Sequence, residues 1–246
     1  MPSPLSDRIA LVTGASYGIG AALALQLAQA GAHVVTAART AAALDDLGAR
    51  IKAAGGKSTI VPLDVTDSDG IAKLARTLKE RHGRLDILVG NAGVLGQPTP
   101  LVQIDPKFWD NVMAVNLTAN FHLLRSMDPL LQASPAGRAV FLTSAVAHMG
   151  RPQWAAYAAS KAALEAIVRS YAAENAATNV RANLFGPGPT RTRMYLGAFP
   201  DVDPNTLPTP EQVAEQIVPL CLPDCTETGK IYDSRAKKFL EFRPPA

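Results

Sequence analysis

The sequence predicts an α/β protein: a single domain over residues 1–246, built on a doubly wound parallel sheet of about seven strands with helices on both faces. Three observations predict it. Short β-branched runs alternate with longer runs rich in alanine and leucine. The first strand candidate, Ile9-Ala10-Leu11-Val12, is apolar throughout, as a strand buried on both faces must be. The glycine and polar residues that interrupt the pattern fall just after the strands, where a sheet of this kind collects its ligand-binding groups.

In chain order, strands are expected over 9–13, 33–38, 58–63, 85–90, 138–143 and 180–184. Helices are expected over 19–30, 41–54, 68–82, 106–131 and 153–177. Alternation this strict implies parallel pairing through right-handed crossovers. Ser68 is expected to cap the third helix. Residues 185–210 are rich in proline and glycine and show little periodicity, so they read as a substrate-covering loop with a short helix near 193–197. A last helix over 210–220 and a short strand over 229–232 complete the sheet.

Hydrophobic residues make up 48% of the chain and charged ones 18%, enough for a large core. The net charge of +3 is dispersed and leaves no footprint for nucleic acid. No apolar stretch approaches the roughly 20 residues needed to span a bilayer, so no membrane partner is expected. Met1 to Arg8 is polar and proline-bearing without a signal-peptide pattern, and the expected compartment is the cytoplasm. The spacing of Cys221 and Cys225 matches no common zinc or redox pair, and they read as packing or surface cysteines. His122 and His148 have no metal-ligand spacing around them, so no metal is expected.

The run Thr13-Gly14-Ala15-Ser16-Tyr17-Gly18-Ile19-Gly20 lies between a strand and a helix. Glycines there let the backbone turn tightly and approach a pyrophosphate, which the N–H groups and dipole of the following helix attract. Gly14, Ser16, Tyr17, Gly18 and Ile19 are therefore cofactor-binding candidates. After the second strand, where an NAD site usually carries an acid, stand Ala38 and then Arg39. A guanidinium can fork onto a ribose 2′-phosphate, so NADP(H) is the preferred cofactor, with NAD(H) the alternative. Asp64, with the backbone of Val65, is expected to contact adenine, the alternative being a cap on the helix that follows.

Tyr157 and Lys161 lie four residues apart in a helical run, and Ser144 lies thirteen residues upstream of the tyrosine. A spacing of four puts phenol and ammonium on one helix face. A nearby cation favours phenolate, which is expected to lower the Tyr157 pKa from about 10.

Thr13-Gly14-x-x-x-Gly18-Ile19-Gly20, Asp64-Val65, Asn91-Ala92-Gly93, Asn116, Ser144, Tyr157-x-x-x-Lys161 and Pro187-Gly188 together resemble the short-chain dehydrogenase/reductase family, over about residues 7 to 233. The stretch from Gly186 to Met194 and the Phe199-Pro200 loop resemble an uncharacterised bacterial oxidoreductase subgroup of it. The resemblance implies a Rossmann-type sheet and hydride transfer between a nicotinamide and a carbonyl or alcohol. It implies that Tyr157 is the general acid and base, that Ser144 holds the substrate oxygen, and that Lys161 binds the nicotinamide ribose. Asn116 would hold a water linking Lys161 to solvent. Asn91, Ala92 and Gly93 would stabilise the central sheet and border the adenosine side. Pro187, Gly188, Thr190 and Thr192 would hold the carboxamide. It also implies a homodimer or homotetramer built through the helices over 106–131 and 153–177.

Three positions depart from the family pattern. Gly90 stands where a second asparagine often precedes Asn-Ala-Gly, Gly186 where asparagine precedes Pro-Gly, and Tyr17 where a small or basic residue is common. Leu95, His148, Met149, Trp154, Tyr195, Leu196 and Phe199 flank these positions and are expected to line an apolar substrate pocket. Arg151, Arg191 and Arg193 read as either surface charges or contacts for an acidic substrate or partner. A 3-oxoacyl thioester on a carrier protein is one candidate substrate. Outside catalysis, the alternatives are a dinucleotide-binding redox sensor or a structural subunit with a vestigial nucleotide site.

Overall fold

The computed structural model describes residues 3–242. Its order is β1 (Ile9–Thr13), α1 (Gly18–Gln29), β2 (His33–Ala38), α2 (Ala41–Ala53), β3 (Lys57–Pro62), α3 (Ser68–His82) and β4 (Ile87–Gly90). Then come α4 (Pro106–Met113), a π turn (Ala114–Thr118), α5 (Ala119–Gln132), β5 (Arg138–Leu142), α6 (Ala155–Glu174) and β6 (Arg181–Gly186). The chain closes with α7 (Arg193–Ala198), α8 (Pro210–Cys221), β7 (Ile231–Asp233) and β8 (Lys238–Leu240).

The strands form one sheet in the order β3-β2-β1-β4-β5-β6-β7-β8. All pairs are parallel except β7 with β8. Strand order reverses at β1, which pairs with β2 on one side and β4 on the other. The crevice beyond their carboxyl ends is the usual ligand site of such a sheet. Adjacent residues of β1 feed opposite cores. Ala10 and Val12 pack with Leu23, Leu27, Leu44 and Ile217 of α1, α2 and α8. Ile9 and Leu11 pack with Leu74, Leu123, Met127 and Val168 of α3, α5 and α6.

Three features differ from the sequence reading. Among the described residues the sheet has eight strands rather than about seven, because the chain turns back after β7 and pairs antiparallel. Phe239 then meets Tyr232 edge-on at 5.3 Å. Three residues at a half-exposed edge have no periodicity to betray them. The helix expected over 106–131 is also interrupted: α4 and α5 are joined by the π turn, and Asn116 sits inside it. Such turns recur at functional sites because the added residue re-aims a side chain. Finally, α3 is capped by Asp67 rather than Ser68, the carboxylate accepting from Gly70 N at 2.9 Å.

Candidate active site

The loop after β1 is held open by its neighbours. Thr13 Oγ1 donates to Val89 O and accepts from the backbone N–H groups of Asn91 and Ala92 at 3.1 and 3.2 Å. Asn91 Nδ2 returns two bonds, to Thr13 O at 2.9 Å and Gly14 O at 3.1 Å. Gly14 has φ +63, and a Cβ on it would stand 2.8 Å from Ala92 Cα. A Cβ on Gly20 would collide with Asn91 Nδ2 and come within 2.5 Å of Gly14 O. Gly18, at φ +58, faces Thr192. No side chain caps α1, and its first turn carries no acid. Its N-terminal N–H groups thus stand at a close-approach loop with neither a side-chain cap nor a first-turn acid on them, which suits a diphosphate. Ser16 and Tyr17 border a groove of about 440 Å³ between α1, α2 and the start of α8.

At the end of β2, Arg39 is exposed and comes no nearer than 4.0 Å to Asp64, too loose a pairing to immobilise it. Asp64 Oδ1 accepts from the backbone N–H and hydroxyl of Thr66 at 2.9 and 2.8 Å, and these bonds lower its pKa. Asp64 thus builds the turn into α3 with one oxygen and faces Arg39 with the other. Val65 beside it is buried.

The remaining candidates gather at the carboxyl ends of β4 and β5. Lys161 is 4% exposed, and its Nζ donates to Leu142 O at 2.7 Å and lies 5.8 Å from the Tyr157 ring centroid. A Cβ on Gly93 would stand 3.3 Å from Asn116 Oδ1 and 3.7 Å from Lys161 Nζ, so these groups share one corner. Asn116 Oδ1 accepts from Val94 N at 2.8 Å. Its Nδ2 donates to Val94 O at 2.9 Å and Ser160 Oγ at 3.0 Å. Ser160 in turn donates to Tyr157 O at 2.8 Å. The amide is fully engaged in pinning the loop after β4 to α6.

Burial sets the charges here. It pushes the Tyr157 phenol up to about 12, and a hydrogen bond with Ser144 pulls in the opposite direction. It draws Lys161 down to about 8, against the attraction of Glu165. Helical spacing alone predicts a lysine that makes the phenol acidic. In the folded protein desolvation outweighs that effect, with Nζ committed to Leu142 O and lying beside the ring.

After β6, Gly188 takes φ +66, and the Thr190 hydroxyl donates to Gly188 O at 3.3 Å. Thr192 caps α7 by accepting from Tyr195 N. Pro187 completes this turn at the mouth of the crevice. Arg193 stacks on Tyr17 at 4.2 Å, tying α7 to the glycine loop. On the other side, Phe199 stacks on Trp154 with 5.6 Å between centroids. Leu95 and Trp154 do line a cavity beside Tyr157, of about 10 Å³, room for roughly one water. His148 is instead paired with Glu165 at 2.8 Å.

A family model described as short chain dehydrogenase matches residues 8–202. The chain belongs to the short-chain dehydrogenase family. An uncharacterised oxidoreductase of Escherichia coli K12, YciK, is 38% identical over 235 residues, covering 94% of this chain and 93% of its own. A short-chain dehydrogenase of Salmonella enterica serovar Typhi superposes with a TM-score of 0.92 at 36% identity, covering 96% of this chain and 98% of its own. One from Escherichia coli CFT073, solved in complex with NADPH, gives a TM-score of 0.87 at 38% identity, covering 96% and 99%.

Against the family pattern, Gly90 has a physical reason. A Cβ there would collide with the Phe141 ring and lie 2.5 Å from Asn120 Oδ1. Asn120, buried on α5, fills that space and donates to Asn116 O at 2.8 Å. Sequence reasoning missed two other groups. One is the hydroxyl of Thr13, a residue read from the sequence only as part of the glycine motif, which ties β1 to β4. The other is Glu165, one helical turn beyond Lys161 and 3% exposed. Its carboxylate accepts from Thr143 Oγ1 at 2.5 Å and meets His148 Nε2. A glutamate four residues after the lysine, on a buried helix face, was the available signal. Among the described residues no group of three or more His, Cys, Asp or Glu is placed to hold a metal ion, and no helix is long and apolar enough to cross a membrane.

Proposed function

We propose that this short-chain dehydrogenase is an NADP(H)-dependent oxidoreductase that interconverts a carbonyl and an alcohol. The observation that carries the proposal is the meeting of Ser144, Tyr157 and Lys161 beside an uncapped glycine loop. The loose Arg39 and the NADPH complex of a relative 38% identical support the phosphorylated cofactor.

The residues fit that cofactor. Gly14, Ser16, Tyr17, Gly18 and Ile19 would hold its diphosphate and Arg39 its 2′-phosphate. Asp64, Val65, Asn91, Ala92 and Gly93 would border the adenosine side. Lys161 would hold the nicotinamide ribose, and Pro187, Gly188, Thr190 and Thr192 the carboxamide. When bound, NADP(H) supplies or takes up the hydride.

In reduction, negative charge grows on the substrate oxygen. Ser144 holds that oxygen by hydrogen bonding and Tyr157 gives it a proton. A phenol near 12 keeps its proton throughout the neutral range, which suits the acid of the reductive direction. Lys161, near 8, is charged at neutral pH and stabilises the phenolate that the transfer leaves behind. Asn116 is a positioning residue, fixing the loop after β4 against the helix that carries Tyr157 and Lys161. We read the chain as one catalytic domain whose segment over 185–210 covers the substrate. We further read it as a homodimer or homotetramer joined through α4, α5 and α6, in the cytoplasm.

Tyr157→Phe tests the assignment. It should keep the fold and NADPH binding, followed by fluorescence titration, and lose about 10²–10⁴ in turnover. Turnover near the wild-type level would reject proton transfer by Tyr157. Tight NADPH binding without turnover of ketones, aldehydes, quinones or acyl thioesters by the wild type would favour a redox sensor instead.

A further inference from the structure

The segment before α6 carries a guanidinium that the proposed reaction does not use. Arg151 Cζ stands 4.7 Å from the Trp154 ring centroid and 4.9 Å from that of Phe199. Those rings stack on each other with an interplanar angle of 18°. Tyr195 packs against Phe199 at 4.7 Å, and Trp154 meets the Tyr157 ring edge-on at 6.0 Å. One aromatic surface, shared by two separate segments, thus runs from the phenol to the guanidinium.

Arg151 itself is exposed and enters none of the ion pairs among the described residues. Asp201, two residues beyond Phe199, does not pair with it. Contact with two rings restrains the guanidinium, and its N–H groups enter no hydrogen bond among the described residues. Those donors match the two oxygens of a carboxylate. An ordinary surface arginine spreads over many rotamers, whereas this one is oriented by two rings beside the candidate catalytic tyrosine. Among the described residues no counter-charge reaches it, and Trp154, one of the two rings it packs on, also lines the small cavity beside Tyr157.

We propose that Arg151 is a specificity residue that reads a carboxylate on the substrate. The reacting carbonyl lies at Tyr157, and an apolar body between the two groups rests on Trp154 and Phe199. The inference rests on the carbonyl-reductase reading and narrows it to oxo acids or hydroxy acids with an apolar spacer.

The test uses NADPH oxidation with three aldehydes: 4-carboxybenzaldehyde, its methyl ester, and neutral 4-nitrobenzaldehyde. Wild type should prefer the acid over the ester by about ten- to a hundredfold in kcat/KM, chiefly through KM, as charge-assisted bonds allow. Arg151→Gln should bring the acid-to-ester ratio close to one. Arg151→Lys should recover only part of the preference, because an ammonium cannot fork. A wild-type ratio near one overturns the proposal even if the variants fail to fold. So does a variant that loses acid and ester turnover alike, which would make Arg151 only a clasp on α7. Turnover of the nitro compound without an acid preference sinks this inference and spares the reductase reading. Absence of turnover with all three substrates rejects the proposal, and the wider carbonyl screen then decides the fate of the reductase reading.

Discussion

Replacing Lys161 by methionine should remove turnover and at the same time relieve a strain on the cofactor-free fold. The ammonium is 4% exposed, and burial draws its pKa from 10.5 to about 8. At 1.36 kcal/mol per unit, that fall corresponds to about 3 kcal/mol by which folding penalises the charged form at neutral pH. Methionine fills a similar length without the charge. It also abandons the 2.7 Å bond to Leu142 O, and an unpartnered carbonyl costs about 1–3 kcal/mol. The net expectation at pH 7 is a gain of about 1 kcal/mol, or about 2–4 °C in Tm for a chain of this size.

The pH dependence is the sharper readout. The folded pKa lies below the unfolded one, so between about 8 and 10.5 the unfolded chain binds more protons. Wild-type stability therefore gains from this group as pH rises through that window. The variant has no such group. Its advantage should shrink by up to about 3 kcal/mol across the window and change sign towards the upper end. Urea unfolding of both proteins at pH 7, 8, 9 and 10 measures the difference, in which titrations common to both cancel. Stabilities that stay parallel from pH 7 to 10 would refute the view that Lys161 is a buried, destabilised cation.

Other substitutions probe the rest of the site. Arg39→Ala should lower the ratio of NADPH to NADH affinity by about ten- to a hundredfold. An unchanged ratio in paired fluorescence titrations would remove Arg39 from the 2′-phosphate site. Gly20→Ala puts a methyl group against Asn91 Nδ2 and Gly14 O. It should destabilise the fold by about 1–3 kcal/mol and weaken NADPH binding, and calorimetry showing wild-type affinity would contradict the loop geometry. Asn116→Ala leaves the amide and carbonyl of Val94 without their partners. A loss of about 2–4 kcal/mol in denaturant unfolding is expected, together with reduced turnover, while a loss below about 0.5 kcal/mol would deny Asn116 its positioning role.

Much of this site can be read from short-range pattern. Gly14, Gly18 and Gly20 announce a strand-to-helix loop because φ and close approach exclude other residues. Tyr157 and Lys161 announce a shared helix face because four residues make about one turn. Other parts are written over long separations. Asn116 looks like any mid-helix asparagine until Val94 and Ser160 close around it, and the π turn that aims it leaves the local composition unchanged. Glu165 resembles a solvated helix residue until Thr143 and His148 are found against it. Arg151 reads equally well as a surface charge or a ligand contact, and only its packing on Trp154 and Phe199 separates it from Arg191.

The alternation of strands and helices, the place of the nucleotide loop and the order of the polar residues along the sheet edge were determined by sequence alone, because each depends on residues within a few positions of one another. The eighth strand, the anchoring of Asn116 and the direction of the Tyr157 pKa were decided by tertiary structure. Edge pairing, buried hydrogen bonds and desolvation depend on which distant segments come to surround a group. A lysine at helical spacing supplies a charge, but the packing around it decides where that charge points and whether burial outweighs it.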